Sequence, residues 1–180
     1  MIDRLLVLWL LILGCALPVV ADPDPVSAGQ TITLLRHAEK QTAVPDPGLT
    51  TAGLARAKFI AAWLGDTENR VEAIWSSDYR RTRDTAQPIA DRLDLAVRLY
   101  DPGELAVLAE RLRAEGVNAV VIGHSNTTPE LAALLCECAV APMPETNYET
   151  GYQLIRTDTG FSLQAVDFLR TWTERPMPAD

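Results

Sequence analysis

Short apolar runs and segments with a helical repeat alternate along most of this chain. The runs at residues 31–35, 72–75, 95–100 and 118–122 are bounded by polar residues or turn formers, and they predict strands, of which 31–35 is apolar enough to be buried. The run at 118–122 (NAVVI) is the most hydrophobic of the four, so we expect it near the centre of the sheet. Apolar residues between these runs recur at helical spacing, which predicts a helix after each strand.

The predicted helices have recognisable starts. We expect them from residue 50 onward, from 78 to about 93, from the run DPGE at 101–104, and from 128 to about 136. Asp78 is predicted to cap the second helix. Asp101 is predicted to cap the third, with Pro102 at the first helical position.

Alternation of strands and helices predicts an α/β fold of three layers, in which helices cover both faces of a mostly parallel central sheet. Residues 148–156 and 161–168 add two more strands around a turn at 158–160. The 180 residues suffice for one domain. We place that domain at 31–170, after a linker at 22–30 and before a loose tail at 171–180.

The N-terminal segment has the pattern of an export signal. A nine-residue apolar run at 5–13 follows one arginine and is too short to span a bilayer, which takes about 20 residues. We therefore expect a secretory signal peptide at 1–21 and a location outside the cytoplasm, in a bacterial periplasm. The alternative is a lipoprotein signal ending before Cys15, because residues 12–15 (ILGC) resemble a lipoprotein box; Cys15 would then carry a lipid anchor.

Composition excludes several classes. Apolar residues make up 48% and charged residues 22% of the chain, a normal globular balance. A formal net charge of −8 without a basic block argues against nucleic-acid binding, where phosphate neutralisation dominates affinity.

Two cysteines remain after the predicted cleavage, Cys136 and Cys138. An oxidising compartment permits a disulfide between them, but a spacing of two is awkward on a helix. A metal site is not supported, because no further Cys or His lies nearby. The favoured interpretation is therefore two small residues near a helix end.

Both histidines of the chain follow predicted strands: His37 follows the first and His124 the fourth. Ligands of parallel sheets bind beyond the carboxyl ends of the strands, so we expect both rings in one site. Arg36 beside His37 offers a guanidinium suited to phosphate or carboxylate. Its charge also disfavours a protonated imidazole, which leaves a lone pair for attack on phosphorus.

Two further segments add anion-binding groups. The segment 76–86 (SSDYRRTRDTA) places three arginines at a helix start, of which one or two can face a site. In 122–130 (IGHSNTTPE), Ser125, Asn126 and the free amides of the next helix form an anion cradle. Imidazoles, guanidiniums and a helix N-terminus are the groups that phosphoryl transfer uses, and this set supplies them without a metal or another cofactor.

The ordered motifs RHAEK, LTTAG, SSDYRRTRDTA and VVIGHSNT resemble the histidine phosphatase superfamily, which has the phosphoglycerate-mutase-like fold, and the likeness spans residues 31–168. The resemblance implies that His37 is the nucleophile that becomes phosphohistidine. It also implies that Arg36 and Arg81 bind the phosphate and that His124 hydrogen-bonds the transferring phosphoryl group. Ala38 departs from the family pattern, which usually has glycine there.

The proton donor to the leaving group is a carboxylic acid in many superfamily members. Asp101, just past the third strand, is the predicted catalytic acid, with a plain helix cap as its alternative role. Further acid candidates are Glu39 and Glu130. The predicted substrate-binding and rim residues are Ser125, Asn126, Glu39, Glu104, Tyr100 and Tyr148.

The sequence therefore predicts an exported, metal-independent phosphomonoesterase of the small exported branch, of the histidine acid phosphatase type. Its expected partner is a small phosphorylated substrate, such as a phosphosugar or an envelope phosphoester. The alternatives are a phosphohistidine protein phosphatase, a phosphoglycerate-mutase-like enzyme, and an inactive phosphate-binding envelope protein.

Overall fold

A computed structural model describes residues 29–66 and 70–167. The predicted signal segment at 1–21 and the tail at 171–180 lie outside the described residues. Of the predicted linker, only residues 29 and 30 are described. Gln30 is buried, and its amide donates to the carbonyls of Leu112 and Val117 at 2.7 and 3.0 Å. The packed domain therefore begins before Thr31. No helix of the described chain is long and apolar enough to span a membrane.

Six strands and four helices make up the described domain. In chain order they are β1 (Thr31–Arg36), α1 (Thr51–Gly65), β2 (Ala73–Ser77), α2 (Arg80–Leu93), β3 (Val97–Tyr100), α3 (Leu105–Glu115), β4 (Ala119–Gly123), α4 (Thr127–Cys136), β5 (Thr150–Thr157) and β6 (Gly160–Asp167). The sheet order is β3-β2-β4-β1-β5-β6. The first four strands in this order are parallel to one another. Strand β5 pairs antiparallel with β1, and β6 pairs antiparallel with β5. The apolar β4 lies in the interior of the sheet, as predicted.

Neighbouring residues on each central strand point to opposite faces of the sheet. Leu34 of β1 belongs to the apolar cluster that contains α3 and α4, whereas Leu35 belongs to the cluster that contains α1 and α2. Trp75 and Ile74 of β2 divide in the same way. This double burial explains why the strand runs are continuously hydrophobic, and it confirms the predicted three-layer α/β fold.

Two predicted helix caps are wrong. Tyr79 occupies the N-cap of α2, while the Asp78 carboxylate pairs with Arg83. The Asp101 carboxylate accepts from the backbone amide of Gly103 at 2.8 Å, and α3 begins only at Leu105. In both cases the carboxylate is satisfied locally, in a turn or an ion pair, and the helix starts later than the composition indicated.

The favoured interpretation of the cysteine pair is also wrong, because Cys136 and Cys138 form a disulfide. Helix α4 ends at Cys136, and Glu137 takes a left-handed conformation with a φ of 53°. This reversal brings the two Cα atoms to 5.2 Å, within the usual range for a disulfide. A disulfide between residues two apart is awkward within a continuous helix, but the helix has already ended at Cys136, so this objection does not apply.

Candidate active site

The two histidines meet because their strands are neighbours in register. Arg36 at the end of β1 pairs with Gly123 at the end of β4, so His37 and His124 leave the sheet side by side. The backbone amide of His37 donates to the Gly123 carbonyl at 3.0 Å. The imidazole centroids lie 5.5 Å apart with an interplanar angle of 67°. One phosphoryl group can contact both rings across that distance.

Glycine is required at position 123 because neighbouring side chains approach its backbone closely. A Cβ at this position would lie 2.9 Å from Thr127 Oγ1 and 3.0 Å from the Tyr100 hydroxyl. Thr127 Oγ1 in turn accepts from the His124 amide at 2.9 Å. A side chain at Gly123 would therefore displace the groups that hold the backbone of His124.

His37 is held as a neutral ring with a free nitrogen. Its Nδ1 lies 2.7 Å from the Ala38 carbonyl, which can only accept, so Nδ1 carries the proton and Nε2 carries the lone pair. Burial lowers the pKa of His37 to about 3, and the nearby charges of Arg36 and Arg81 act in the same direction. The ring therefore has the protonation state of a nucleophile at neutral pH.

His124 is also neutral, and it is oriented from both sides. Arg81 Nη2 donates to Nδ1 at 3.4 Å, so Nε2 carries the proton and donates to Ser77 Oγ at 2.9 Å. Ser77 is fixed in turn by Thr82 Oγ1 at 3.1 Å. Burial lowers the pKa of His124 to about 4, with contributions from Arg81 and Arg36.

Arg36 is buried in a cage of carbonyl oxygens. Its Nη1 donates to the carbonyls of Pro144 and Asn147 at 3.4 and 3.2 Å, and to that of Glu145. Its guanidinium lies 4.2 Å from the ring centroid of Tyr148. The side chain is thus fixed by the segment that precedes β5.

Arg81 approaches the site from α2. Its guanidinium lies 4.5 Å from the ring centroid of Tyr79, and its Nη1 lies 3.9 Å from Asp46. Within the described part of the chain, the buried Nε atoms of Arg81 and Arg36 have no hydrogen-bond partner. Buried donors are rarely left unsatisfied, so this spare capacity suits a bound oxyanion.

Ala38, the departure from the family pattern, is accommodated. Its side chain packs in a small apolar cluster with Leu49 and Ala57, and its amide donates to Thr85 Oγ1 at 3.0 Å. Thr85 Oγ1 also donates to the Arg81 carbonyl at 2.8 Å. This threonine therefore ties the backbone after His37 to the helix turn that carries Arg81.

These groups open onto a cleft of about 360 Å³ at the carboxyl ends of the parallel strands. The described residues that line it are Arg36, His37, Lys40, Tyr79, Arg81, Pro102, Gly103, His124, Ser125, Asn126, Thr127 and Glu145. Six predicted site residues are thus brought together: Arg36, His37, Arg81, His124, Ser125 and Asn126. Their catalytic and binding roles stay predictions.

Other predicted residues lie elsewhere. Asp101 and Glu104 are exposed and lie outside the lining formed by the described residues, although Pro102 and Gly103 between them belong to it. Glu39 is ion-paired with Arg56 at 2.6 Å. Glu130 lines a neighbouring groove.

The two predicted rim tyrosines differ from each other. Tyr148 lies at the site, with its ring centroid 6.2 Å from that of His37. Tyr100 is buried beneath the site, and its hydroxyl donates to the Ile122 carbonyl at 3.3 Å. Burial raises the pKa of Tyr100 to about 12.

Sequence reasoning missed two prominent site residues. Tyr79 stands edge-on to His124, with centroids 5.1 Å apart, and its position inside the arginine-rich motif could have suggested this. Glu145 comes from an irregular segment without periodicity, and its Oε1 accepts from Ser125 Oγ at 3.1 Å. Nothing in the local sequence pattern indicates that Glu145 reaches the cleft. Among residues 29–66 and 70–167, no group of three or more His, Cys, Asp or Glu residues could hold a metal ion.

Fold and site together define a class: an α/β protein in which paired histidines and arginines form an anion-binding cleft at the ends of parallel strands. The family model of the histidine phosphatase superfamily (branch 1) matches residues 32–102, a span that includes Arg36, His37 and Arg81. Over this span the chain is similar to the histidine phosphatase superfamily, and that similarity indicates a phosphatase.

Solved structures share the fold over most of the chain. The protein histidine phosphatase SixA, solved with tungstate, is 20% identical with a TM-score of 0.65, over 79% of this chain and 99% of that one. A mycobacterial glucosyl-3-phosphoglycerate phosphatase is 18% identical with a TM-score of 0.58, over 78% of this chain and 98% of that one. No curated protein matches the sequence significantly.

Proposed function

We propose that this protein is an exported phosphomonoesterase that works without a metal through a phosphohistidine on His37. The observation that carries the proposal is the free Nε2 of a buried, neutral His37, in a cleft with His124, the buried Arg36 and the half-buried Arg81. A nucleophile with a free lone pair and a ring of cationic donors is what transfer of a phosphoryl group requires.

In the first step, His37 Nε2 attacks phosphorus and the bond from phosphorus to the ester oxygen breaks. Arg36, Arg81 and the amides at the start of α4 stabilise the charge on the equatorial oxygens. In the second step, water attacks the phosphohistidine, the phosphorus–nitrogen bond breaks, and its electron pair returns to Nε2. Inorganic phosphate then leaves.

The departing oxygen needs a proton, and Glu145 is better placed than Asp101 to supply it. Glu145 is the one carboxylate among the described lining residues, and its Oε2 lies 4.0 Å from Arg36 Nη2. Glu145 would donate to the ester oxygen in the first step and take a proton from water in the second.

Two observations support export. The apolar segment at 5–13 followed by small residues has the pattern of a signal peptide. The Cys136–Cys138 disulfide fits an oxidising compartment, because cytosolic thiols are kept reduced. Fractionation of a bacterium that expresses the full chain tests location, and recovery from cytosol alone contradicts export. Labelling with radioactive palmitate distinguishes a lipid on Cys15 from a soluble form.

The mechanism is tested with His37→Ala. We expect a loss of at least about a thousandfold in hydrolysis of p-nitrophenyl phosphate, because the nucleophile is gone. Acid quenching of the unaltered enzyme with a labelled substrate should trap an acid-labile phosphoprotein that the variant lacks. Chelators should leave the rate unchanged. Normal turnover by the variant, or loss of activity with a chelator, would contradict the proposal.

A second candidate function is a phosphohistidine protein phosphatase. It is supported by SixA, a protein histidine phosphatase, of which 99% superposes on this chain. Export counts against it, since histidine-kinase relays operate in the cytoplasm. Specificity constants for a phosphohistidine peptide and for alkyl phosphates, measured side by side, distinguish the two functions.

A further inference from the structure

A second groove adjoins the cleft and shares Ser125 and Asn126 with it. It has a volume of about 390 Å³ and lies between α4 and the segment at 140–143. Its other described lining residues are Pro129, Glu130, Ala133, Val140, Pro142 and Met143. The two volumes share these two lining residues and are therefore neighbours, so a molecule held in the first can extend towards the second.

The lining of the groove is chemically different from that of the cleft. Pro129 and Ala133 are four residues apart, so they lie on one face of α4. Val140 and Met143 belong to the opposite wall. Among the described lining residues Glu130 alone is charged, and it is exposed. The cleft, by contrast, contains two arginines, a lysine and two histidines.

The groove is held open by bonds at both ends of its second wall. The Cys136–Cys138 disulfide fixes the chain where it leaves α4. The carbonyls of Pro144, Glu145 and Asn147 are bound to Arg36. A segment anchored on both sides of residues 140–143 gives a preformed apolar surface, as expected of a ligand site.

We propose that this groove is the leaving-group subsite and that it selects phosphomonoesters whose alcohol has an apolar body, such as an alkyl chain, over polyol phosphates. The inference rests on the proposed function, because the ester must be anchored by its phosphate in the cleft. Glu145 bonds to Ser125, which lines both volumes, so the ester oxygen would receive its proton where the two meet. The apolar part of the alcohol then leaves water as it enters the groove.

The test is the specificity constant kcat/KM along a series of n-alkyl phosphates from ethyl to octyl, with glycerol phosphate as the polar counterpart. We expect kcat/KM to rise with chain length until the groove is filled, by up to about fourfold for each methylene that becomes fully buried. Ethyl and glycerol phosphates should be the poorest substrates. A flat profile, or a preference for glycerol phosphate, would overturn the proposal.

Two variants localise the effect. Val140→Ser and Ala133→Asp each introduce a polar group into a groove wall and should reduce the octyl-to-ethyl ratio of kcat/KM several-fold. Val107→Ser is the matched control, because Val107 is an exposed valine of α3 outside the groove, and it should keep the ratio. An unchanged ratio in both groove variants would assign the chain-length effect to another surface.

Affinity for n-alkyl phosphonates, measured by calorimetry, reports on the groove without turnover. Phosphonates keep the anionic head but have no ester bond to break. If no phosphoester is hydrolysed while phosphonate affinity rises with chain length, the phosphatase proposal fails and the subsite stands. If esters are hydrolysed with a flat profile, the subsite fails and the phosphatase stands.

Discussion

The parallel strands and the irregular segment at 137–149 both face the cleft, but they contribute different groups. His37 and His124 directly follow strands β1 and β4, and the helix after β2 carries Arg81. The segment at 137–149 contributes the carbonyls around Arg36, the Glu145 carboxylate and the Tyr148 ring. Backbone register places the two histidines, whereas this one segment holds Arg36 in place and forms one wall of the apolar groove.

This difference explains why the histidines and arginines lie in short sequence motifs, whereas the groups that surround Arg36 come from a distant segment without a recognisable motif. Parallel strands need only the correct register to bring two histidines together, and an apolar strand pattern specifies that register. The irregular segment acquires its shape from Arg36, which binds three of its carbonyls. The following predictions separate the two contributions.

After loss of the His37 nucleophile, the largest effect is expected where the two regions meet, at Arg36. Arg36→Lys should lower kcat/KM for p-nitrophenyl phosphate by about a hundredfold or more, because an ammonium group cannot reproduce the planar guanidinium that both phosphate and carbonyls require. The segment at 137–149 should also become more accessible to protease. Arg113→Lys, which alters an arginine bound to the end of α4, is the control. Equal losses in both variants would mean that Arg36 has no special role.

Glu145→Gln should have a smaller effect, which depends on the leaving group. We expect about a hundredfold loss of kcat for an alkyl phosphate, whose departing alkoxide needs a proton, and little loss for p-nitrophenyl phosphate. Asp101→Asn is the matched variant and should change neither rate. The opposite outcome, with Asp101→Asn impaired on alkyl phosphate alone, would restore Asp101 as the donor.

The pH dependence of stability should report on the two histidines. Their pKa values are lowered to about 3 and about 4, so below pH 6.5 the unfolded chain takes up protons that the folded protein does not. The free energy of unfolding should therefore decrease as the pH falls from about 6.5 to 4, by up to about 1.4 kcal/mol per pH unit for each ring.

Urea unfolding between pH 7 and 5 measures this slope. The folded and unfolded rings are both almost entirely neutral well above pH 6.5, so the two histidines contribute little slope there. His124→Asn removes one of the two rings and should reduce the slope below pH 6.5 by up to half. An unchanged slope in that variant would show that the ring is protonated equally in both states.

Much of the parallel part of the sheet was predictable from local pattern. The runs that form β1, β2 and β4 are buried because both faces of the sheet are covered there, and the apolar 118–122 run lies in the interior of the sheet. The run at 95–100 also forms a strand, but β3 lies at the edge of the sheet and is largely exposed. The predicted helix starts at Asp78 and Asp101 were wrong, because those carboxylates found an arginine and a turn amide closer than the helix amides. A carboxylate at a helix start can bond to several nearby donors, and composition does not show which of these donors it will choose.

The cysteine pair shows the same limit. Whether Cys136 and Cys138 can bond depends on where α4 ends, and Glu137 ends it by adopting a left-handed conformation. Glu145 is a similar case, since its approach to Ser125 depends on how the segment at 137–149 folds against Arg36. Neither outcome follows from hydrophobic spacing.

The amino-acid sequence alone determined the α/β layers, the two strand ends that the histidines follow, and the resemblance to the histidine phosphatase superfamily, because strand and helix periodicity and short motifs are local properties. The tertiary structure alone decided which carboxylate reaches the cleft, that Glu39 forms an ion pair with Arg56, and that an apolar groove opens beside the cleft. These are contacts between segments distant in the chain, and such contacts depend on packing, which no single segment encodes.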